Sequence, residues 1–241
     1  MANTIHLLLD QLPGDRFPIL SCGGELEGYR MRIDWSKYRS FVYGTWEPHV
    51  VEALVQAVVP GTVAVDIGAH IGFYTLLLSK CVGQSGLVVA FEPLPPNFRI
   101  LQENLLLNFC PHVRAVNKAV TDRPGRLEAT IPREEALPGS VSLFTDYGGE
   151  PVVIDTVTLD EFVRGLRTPV HFIKIDVEGA EDLVLAGAVE TIKSCHPKMI
   201  VELHHFSFPR EQHPVLPMLR EFGYKLQWLD QWELTSHVMA T

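Results

Sequence analysis

The chain has 241 residues, 46% of them hydrophobic and 20% charged, with a formal net charge of −9, which suits one well-cored globular domain and is short for two. The acidic balance and the lack of any clustered Lys and Arg disfavour nucleic acid as a partner, because affinity for phosphates needs a basic surface. Cys22, Cys81, Cys110 and Cys195 show neither a CxxC nor a Cys/His zinc spacing, so reduced thiols are expected.

In chain order, "MANTIHLLLDQLPGD" has one short apolar run broken by Asp10, which reads as neither a leader nor a membrane span. A cytoplasmic protein with no membrane partner is expected. Residues 1–60 read as a lead-in layer, closed by a helix in "GTWEPHVVEALVQAVV". From residue 61 to 241 the core is expected: strand "TVAVDIGA", helix "IGFYTLLLSKCVG", strand "GLVVAFEP", helix "PPNFRILQENLLLN" with Pro96 at its start, and a weaker strand "VRAVNKAV". Residues 124–158 break this rhythm. "GRLEATI", "SVSLF" and "VVIDTVTL" look like antiparallel strands between Pro- and Gly-rich turns, a hairpin insertion expected to cover the substrate side. The short helix "LDEFVRGL", the strand "VHFIKIDVEG" and one helix over "AEDLVLAGAVETIKSC" follow. Strand "KMIVELHH", helix "VLPMLREFG" and an antiparallel strand pair in "YKLQWLDQWELTSHVMA" complete the chain. Alternating strand and helix imply one α/β domain with a doubly wound, mostly parallel sheet, whose ligands bind beyond the carboxyl ends of the strands.

Two acids stand at such ends. Asp66 precedes a turn with Gly68 and Gly72, where the backbone can approach a ligand closely. The G-x-G-x-x-G of dinucleotide-binding proteins is absent, and a carboxylate suits an amine-bearing group better than a pyrophosphate. Glu92, followed by Pro93, stands where an acid commonly accepts hydrogen bonds from ribose hydroxyls. A ligand with a ribose and an amino group but no phosphate is implied, and S-adenosylmethionine fits that description. Read singly, Asp66 is equally well a turn-former and Glu92 a strand-end charge.

"VAVDIGAHIGFYTLLLSK", "VVAFEPLPPNFRILQENLLLN", "FIKIDVEGAEDLVLAGA" and "MIVELHH", with "YGTWEP" upstream, resemble the successive signatures of the FkbM family of S-adenosylmethionine-dependent methyltransferases over roughly residues 40–205. The resemblance implies a class I, Rossmann-like methyltransferase fold and methyl transfer, usually to oxygen, on secondary metabolites, polyketides or sugars. It implies that Asp66, Gly68, Ala69 and Gly72 shape the methionine pocket, that Glu92 and Pro93 meet the ribose, and that Ala119 and Val120 lie near the adenine, with Asp122 a lesser candidate there. Glu47 would close the pocket from the lead-in. His70 stands where the family has a small polar residue, and its role stays open.

"FIKIDVEGAEDLVLAGA" places five charges where a buried strand becomes a helix. Methyl transfer to a hydroxyl needs a proton acceptor, an in-line oxygen and the exclusion of water. Asp176 and Glu178 are the candidate acceptors here, and His204 and His205 offer a better matched pKa. Lys174 pairs with Asp176 or with Glu202 on the next strand. Glu181 and Asp182 suit the first turn of a helix and need no catalytic task. No metal is favoured; the alternative set is Asp176, Glu202 and His205, with Glu178 nearby.

The expectation is therefore an O-methyltransferase of a small hydroxylated molecule. The rivals are an N-methyltransferase, an NAD-dependent dehydrogenase and a non-catalytic S-adenosylmethionine-binding module. They are disfavoured, respectively, by the lack of an Asn/Asp-Pro-Pro-aromatic run, by the missing G-x-G, and by the retained Asp66, Glu92 and Asp176. Nothing in the sequence sets the oligomeric state.

Overall fold

The computed structural model describes residues 18–132, 149–166, 168–205, 208–232 and 234–241. The expected strand "SVSLF", with Ser140 and Ser142, lies outside them. Among the described residues, no helix is long and apolar enough to cross a membrane.

The lead-in carries a small antiparallel hairpin, β1 (Ile19–Ser21) and β2 (Arg30–Arg32), and the helices α1 (Arg39–Tyr43) and α2 (Pro48–Ala57). The core begins with β3 (Val63–Ile67), α3 (Phe73–Val82), β4 (Leu87–Phe91), α4 (Pro95–Leu107) and β5 (Val113–Val116). After an excursion it resumes with β9 (Val170–Ile175), α6 (Glu181–Ala186), α7 (Val189–Cys195) and β10 (Lys198–His204). It finishes with α8 (Val215–Glu221), β11 (Leu226–Trp228) and β12 (Thr235–Ala240). These seven strands form one sheet in the order β11-β12-β10-β9-β3-β4-β5. The five strands from β10 to β5 run parallel, while β12 is antiparallel to both β10 and β11. Successive strands run outward from β3 to β5 and then restart on the other side at β9, so the crossing point lies between β3 and β9.

Both faces of the sheet are covered, which is why its strands read as nearly continuous apolar runs. Val63, Val65, Ile67, Ile173, Ile175 and Val201 pack under α6, α7 and α8. Ala64, Val88, Ala90, Phe172 and Ile200 pack on the other face with Leu76, Leu77 and Leu78 of α3, Leu54 of α2, and Met31 and Phe41 of the lead-in. Two asparagines fasten the lead-in to α4. Asn104 Oδ1 accepts the Arg32 N–H at 2.6 Å and its amide donates to the Ile71 carbonyl at 2.8 Å, while Asn108 exchanges bonds of 2.9 and 2.7 Å with the Arg30 backbone.

Two expectations about the elements need correction. "VRAVNKAV" is two strands, β5 in the main sheet and β6 (Ala119–Val120) in a second sheet ordered β6-β8-β7, with β7 Gly125–Pro132 and β8 Gly149–Val157. The chain changes sheets at Asn117, whose amide donates to the carbonyls of Glu92 and Pro93 at 2.8 and 2.9 Å. β7 and β8 are antiparallel as expected, but β6 runs parallel to β8. The described part of this insertion packs Ala129 and Ile154 on Leu94, beside the end of β4. Finally, the single helix expected over 180–195 is broken at Gly187. The cause is Asp160 at the start of α5 (Leu159–Val163). Its carboxylate accepts the N–H groups of Glu190 and Thr191 and the Thr191 hydroxyl, at 2.9, 2.7 and 2.7 Å, and so caps a new helix start. Gly187 meanwhile lies so close to the Thr121 carbonyl that a Cβ would stand 2.0 Å from it.

Candidate active site

A cavity of about 280 Å³ opens at the carboxyl ends of β3, β4 and β9, on both sides of the crossing point. Its floor is the β3–α3 turn. Gly68 has φ +88°, and a Cβ there would sit 1.7 Å from the Asp176 carbonyl, so only glycine lets this turn lie against the end of β9. The N–H groups of Gly68 and Ala69 both donate to the Phe91 carbonyl, tying the turn to β4 as well. Gly72, at φ +97°, starts α3 against Leu101.

On the β4 side stands Glu92, 4% exposed. Its Oε2 accepts the His70 backbone N–H at 2.8 Å, and its Oε1 accepts the Leu94 N–H at 3.0 Å and the Asn97 amide at 3.4 Å. Burial pushes the Glu92 carboxyl up to about 7, against the pull of those bonds. Leu94, Ala119 and Val120 continue this wall with apolar surface. His70, in a left-handed conformation, places its ring 5.5 Å from that of Tyr38, and burial drives its pKa down to about 4. Tyr38, Phe41 and Trp46 of the lead-in roof the cavity. Phe41 packs on Phe73 with ring centroids 4.4 Å apart and on Trp46 at 5.1 Å.

The opposite wall is ionic. Asp66 and Lys174 are neighbours on β3 and β9, and Glu202 faces His237 across β10 and β12, so polar side chains from four strands share one face of the sheet. Lys174 is fully buried, with Nζ 3.3 Å from Asp176 Oδ2 and 4.8 Å from the centre of the Tyr74 ring. Burial opposes its charge, yet Asp176, Glu202, Glu47 and Asp66 together raise its pKa. Asp176 is pushed well above the carboxylate range, first by burial and then by Glu202. Glu202 moves the other way: despite burial, His237 and Lys174 hold it ionised. His204 Nδ1 lies 2.7 Å from Glu181 Oε1 and its Nε2 lies 3.3 Å from Glu178 Oε2. Against burial, Glu181, Glu202 and Asp176 raise His204 to about 9. Glu47 receives the Tyr74 hydroxyl and, mainly through burial, titrates above its ordinary value.

Of the residues expected to hold the cofactor, Glu47, Gly68, Ala69 and His70 line the cavity, as do Glu92, Pro93, Ala119 and Val120. Asp66 does not reach it. This carboxylate lies beneath the turn and accepts the Thr75 hydroxyl at 2.6 Å. Gly72 also stands outside, at the helix start. Among the expected catalytic residues, Asp176 and Glu178 line the cavity and His204 stands behind Glu178. His205 points away, with Nε2 3.0 Å from Ser236 Oγ, so the set Asp176, Glu202 and His205 does not converge; His204 occupies the place given to His205. Strand alternation explains this, since His205 directly follows β10 and adjacent residues along an extended chain face opposite sides. Glu181, read as a dipole-compensating acid, is fully buried and holds His204. Tyr74, Asp230 and His237 were not anticipated. His237 meets Glu202 only through the antiparallel register of β12, for which the sequence carries no local signal.

A family model described as the methyltransferase FkbM domain matches residues 66–226. "Methyltransferase 1" of Beauveria bassiana (strain ARSEF 2860) is 28% identical over 161 residues, or 58% of this chain and 63% of that protein. The chain therefore spans under two thirds of the length of that relative. Among solved structures, a methyltransferase FkbM from Methylobacillus flagellatus KT superposes with a TM-score of 0.54 at 20% identity, covering 79% of this chain and 50% of that one. Aeropyrum pernix fibrillarin with natively bound S-adenosyl-L-methionine gives 0.51 at 14% identity, over 79% of this chain and 74% of that one. At these identities the likeness is one of fold.

Proposed function

The chain belongs to the FkbM family of S-adenosylmethionine-dependent methyltransferases, and from this premise we propose that it methylates a hydroxyl oxygen of a small molecule, a polyketide-like or sugar-like secondary metabolite. The observation that carries the reading is one cavity flanked by two kinds of carboxylate: Glu92, fixed by amides, on one side, and Asp176 with Glu178 on the other. The cofactor fits the donor set. Glu92 offers carboxylate oxygens to ribose hydroxyls, Leu94, Ala119 and Val120 offer an apolar wall to adenine, and the Gly68–His70 turn faces the methionine portion. When bound, S-adenosylmethionine supplies an electrophilic methyl on a sulfonium.

The chain's own groups do the rest. Asp176, made more basic by burial and by Glu202, accepts the proton of the acceptor hydroxyl or aligns that hydroxyl. Glu178, held by His204, assists. Tyr38, Phe41 and Trp46 exclude water, which keeps the oxygen as the nucleophile. The net charge of −9 supports a small acceptor over a nucleic acid. Calorimetry is expected to show S-adenosylmethionine binding by the wild type, weakened at least ~10-fold in Glu92→Ala, the loss of one or two hydrogen bonds to a charged group. Asp176→Asn is expected to bind the cofactor and lose methyl transfer to hydroxylated acceptors by about 10²-fold or more. Absence of cofactor binding by the wild type would sink the reading.

A further inference from the structure

Glu47 and His237 take no part in the methyl transfer and Glu202 acts there only through Asp176, yet the three converge from three parts of the chain. We propose that they form a site for a first-row divalent cation of the Zn²⁺ or Mn²⁺ class, with Asp230 behind the histidine. Glu202 and His237 are cross-strand partners on β10 and β12, Glu47 arrives from the lead-in, and their ligand atoms all lie within 4.8 Å of one another.

The histidine carries the argument. His237 is 1% exposed, and its Nε2 has no hydrogen-bond partner although it points between two acids. It lies 3.3 Å from Glu202 Oε2 and 3.5 Å from Glu47 Oε2. A charge-assisted N–H···O bond would close to about 2.7–2.9 Å. Metal–ligand bonds of about 2.0–2.2 Å instead set neighbouring atoms of a tetrahedron about 3.3–3.6 Å apart, and both distances from the histidine fall in that range. On the far side of the ring, Nδ1 lies 2.9 and 3.1 Å from the two Asp230 oxygens, and Asp230 also accepts the His237 backbone N–H at 2.9 Å. Such a carboxylate fixes the ring and turns the other nitrogen forward as a ligand.

Charge favours a dication. The site offers two carboxylates, and the neighbouring ammonium, Lys174, is shared among Asp176, Glu202, Glu47 and Asp66. The other convergent set, Asp176, Glu202 and His204, is already engaged: Lys174 holds Asp176 at 3.3 Å, and His204 bonds Glu181 and faces Glu178. One imidazole with two carboxylates suits Zn²⁺ or Mn²⁺ better than Mg²⁺, which prefers an all-oxygen shell. Glu47 and Glu202 line the cavity, so the fourth position opens toward it. The ion would pin the lead-in to the C-terminal strands.

The test is ion uptake, which needs no acceptor and no turnover. Chelator-treated protein is titrated with Zn²⁺ and Mn²⁺ by competition with a chromophoric chelator, and with Co²⁺, whose visible absorption reports coordination number. We expect saturable uptake at one site, a higher Tm when loaded, and loss of uptake in His237→Gln and Glu47→Gln. Asp230→Asn is expected to weaken binding about 10–100-fold. The proposal is overturned if the wild type takes up no ion at millimolar concentration, or if uptake persists unchanged in a Glu47→Gln variant that melts as cooperatively as the ion-free wild type. S-adenosylmethionine binding is measured on the same samples, so failure of the cofactor reading is seen separately.

Discussion

Glu92 accepts three hydrogen bonds and still titrates at about 7, because burial outweighs them. Its folded pKa stands above the unfolded value of about 4.3, so its contribution to stability is full below that value and is lost as pH rises through about 7. The charge of Asp66 adds to the upward shift, and Lys118 lines the same cavity. A shift of this size corresponds to about 3–4 kcal/mol. The stability of Glu92→Gln relative to wild type should therefore increase from pH 4.5 to 7.5 in chemical denaturation; a pH-independent difference would contradict this. Hydroxyl donors favour the ionised form, so wild-type affinity for S-adenosylmethionine is expected to rise with pH up to about 7 and that of Glu92→Gln to stay flat. Lys174 gives a second prediction. Removing a buried cation strands its acids, so Lys174→Met should cost about 3–5 kcal/mol, read as a large fall in denaturation midpoint. At this scale the sequence was informative wherever a residue's place follows from its own strand. The positions of Glu92, Asp176 and Lys174 follow from period-two alternation and strand ends. Asp66 was placed on the right strand, but its burial beneath the turn depends on Thr75, nine residues on in α3.

Helix and strand boundaries depend on contacts that local periodicity does not contain. Strands β3, β4, β9 and β10 and helices α3, α4 and α8 were legible because sheet burial and helical spacing write themselves into consecutive residues. The break between α6 and α7 was not, since Asp160, about 30 residues upstream, supplies the cap. Asp160→Ala is expected to cost about 1–2 kcal/mol and to speed amide exchange in the first turn of α7, while leaving β10 protected. Equal loosening of both elements would refute a local capping role. The lead-in depends on α4 in the same way. Asn104 is fully buried and bonds to the Arg32 N–H and the Ile71 carbonyl. Asn104→Leu should cost about 2–4 kcal/mol through orphaned backbone groups, measurable as lost protection of β2.

At the scale of the whole molecule, the site draws on elements far apart in the chain. β3 and β4 supply the turn and Glu92, β9 and β10 the ionic wall, and the lead-in the aromatic roof. The order in which these parts become available during synthesis differs from their order in space. β12 is made after both β10 and β11, yet it sits inside the sheet between them. A chain emerging from the ribosome therefore holds β10, with its buried Met199, Ile200, Val201 and Leu203, as an unprotected edge until some 30 further residues have been added. Such edges recruit other chains. Truncation after Asp230 is expected to yield insoluble protein, detected by fractionating lysates. In the cell, slow elongation beyond β10 would leave the nascent protein dependent on chaperones.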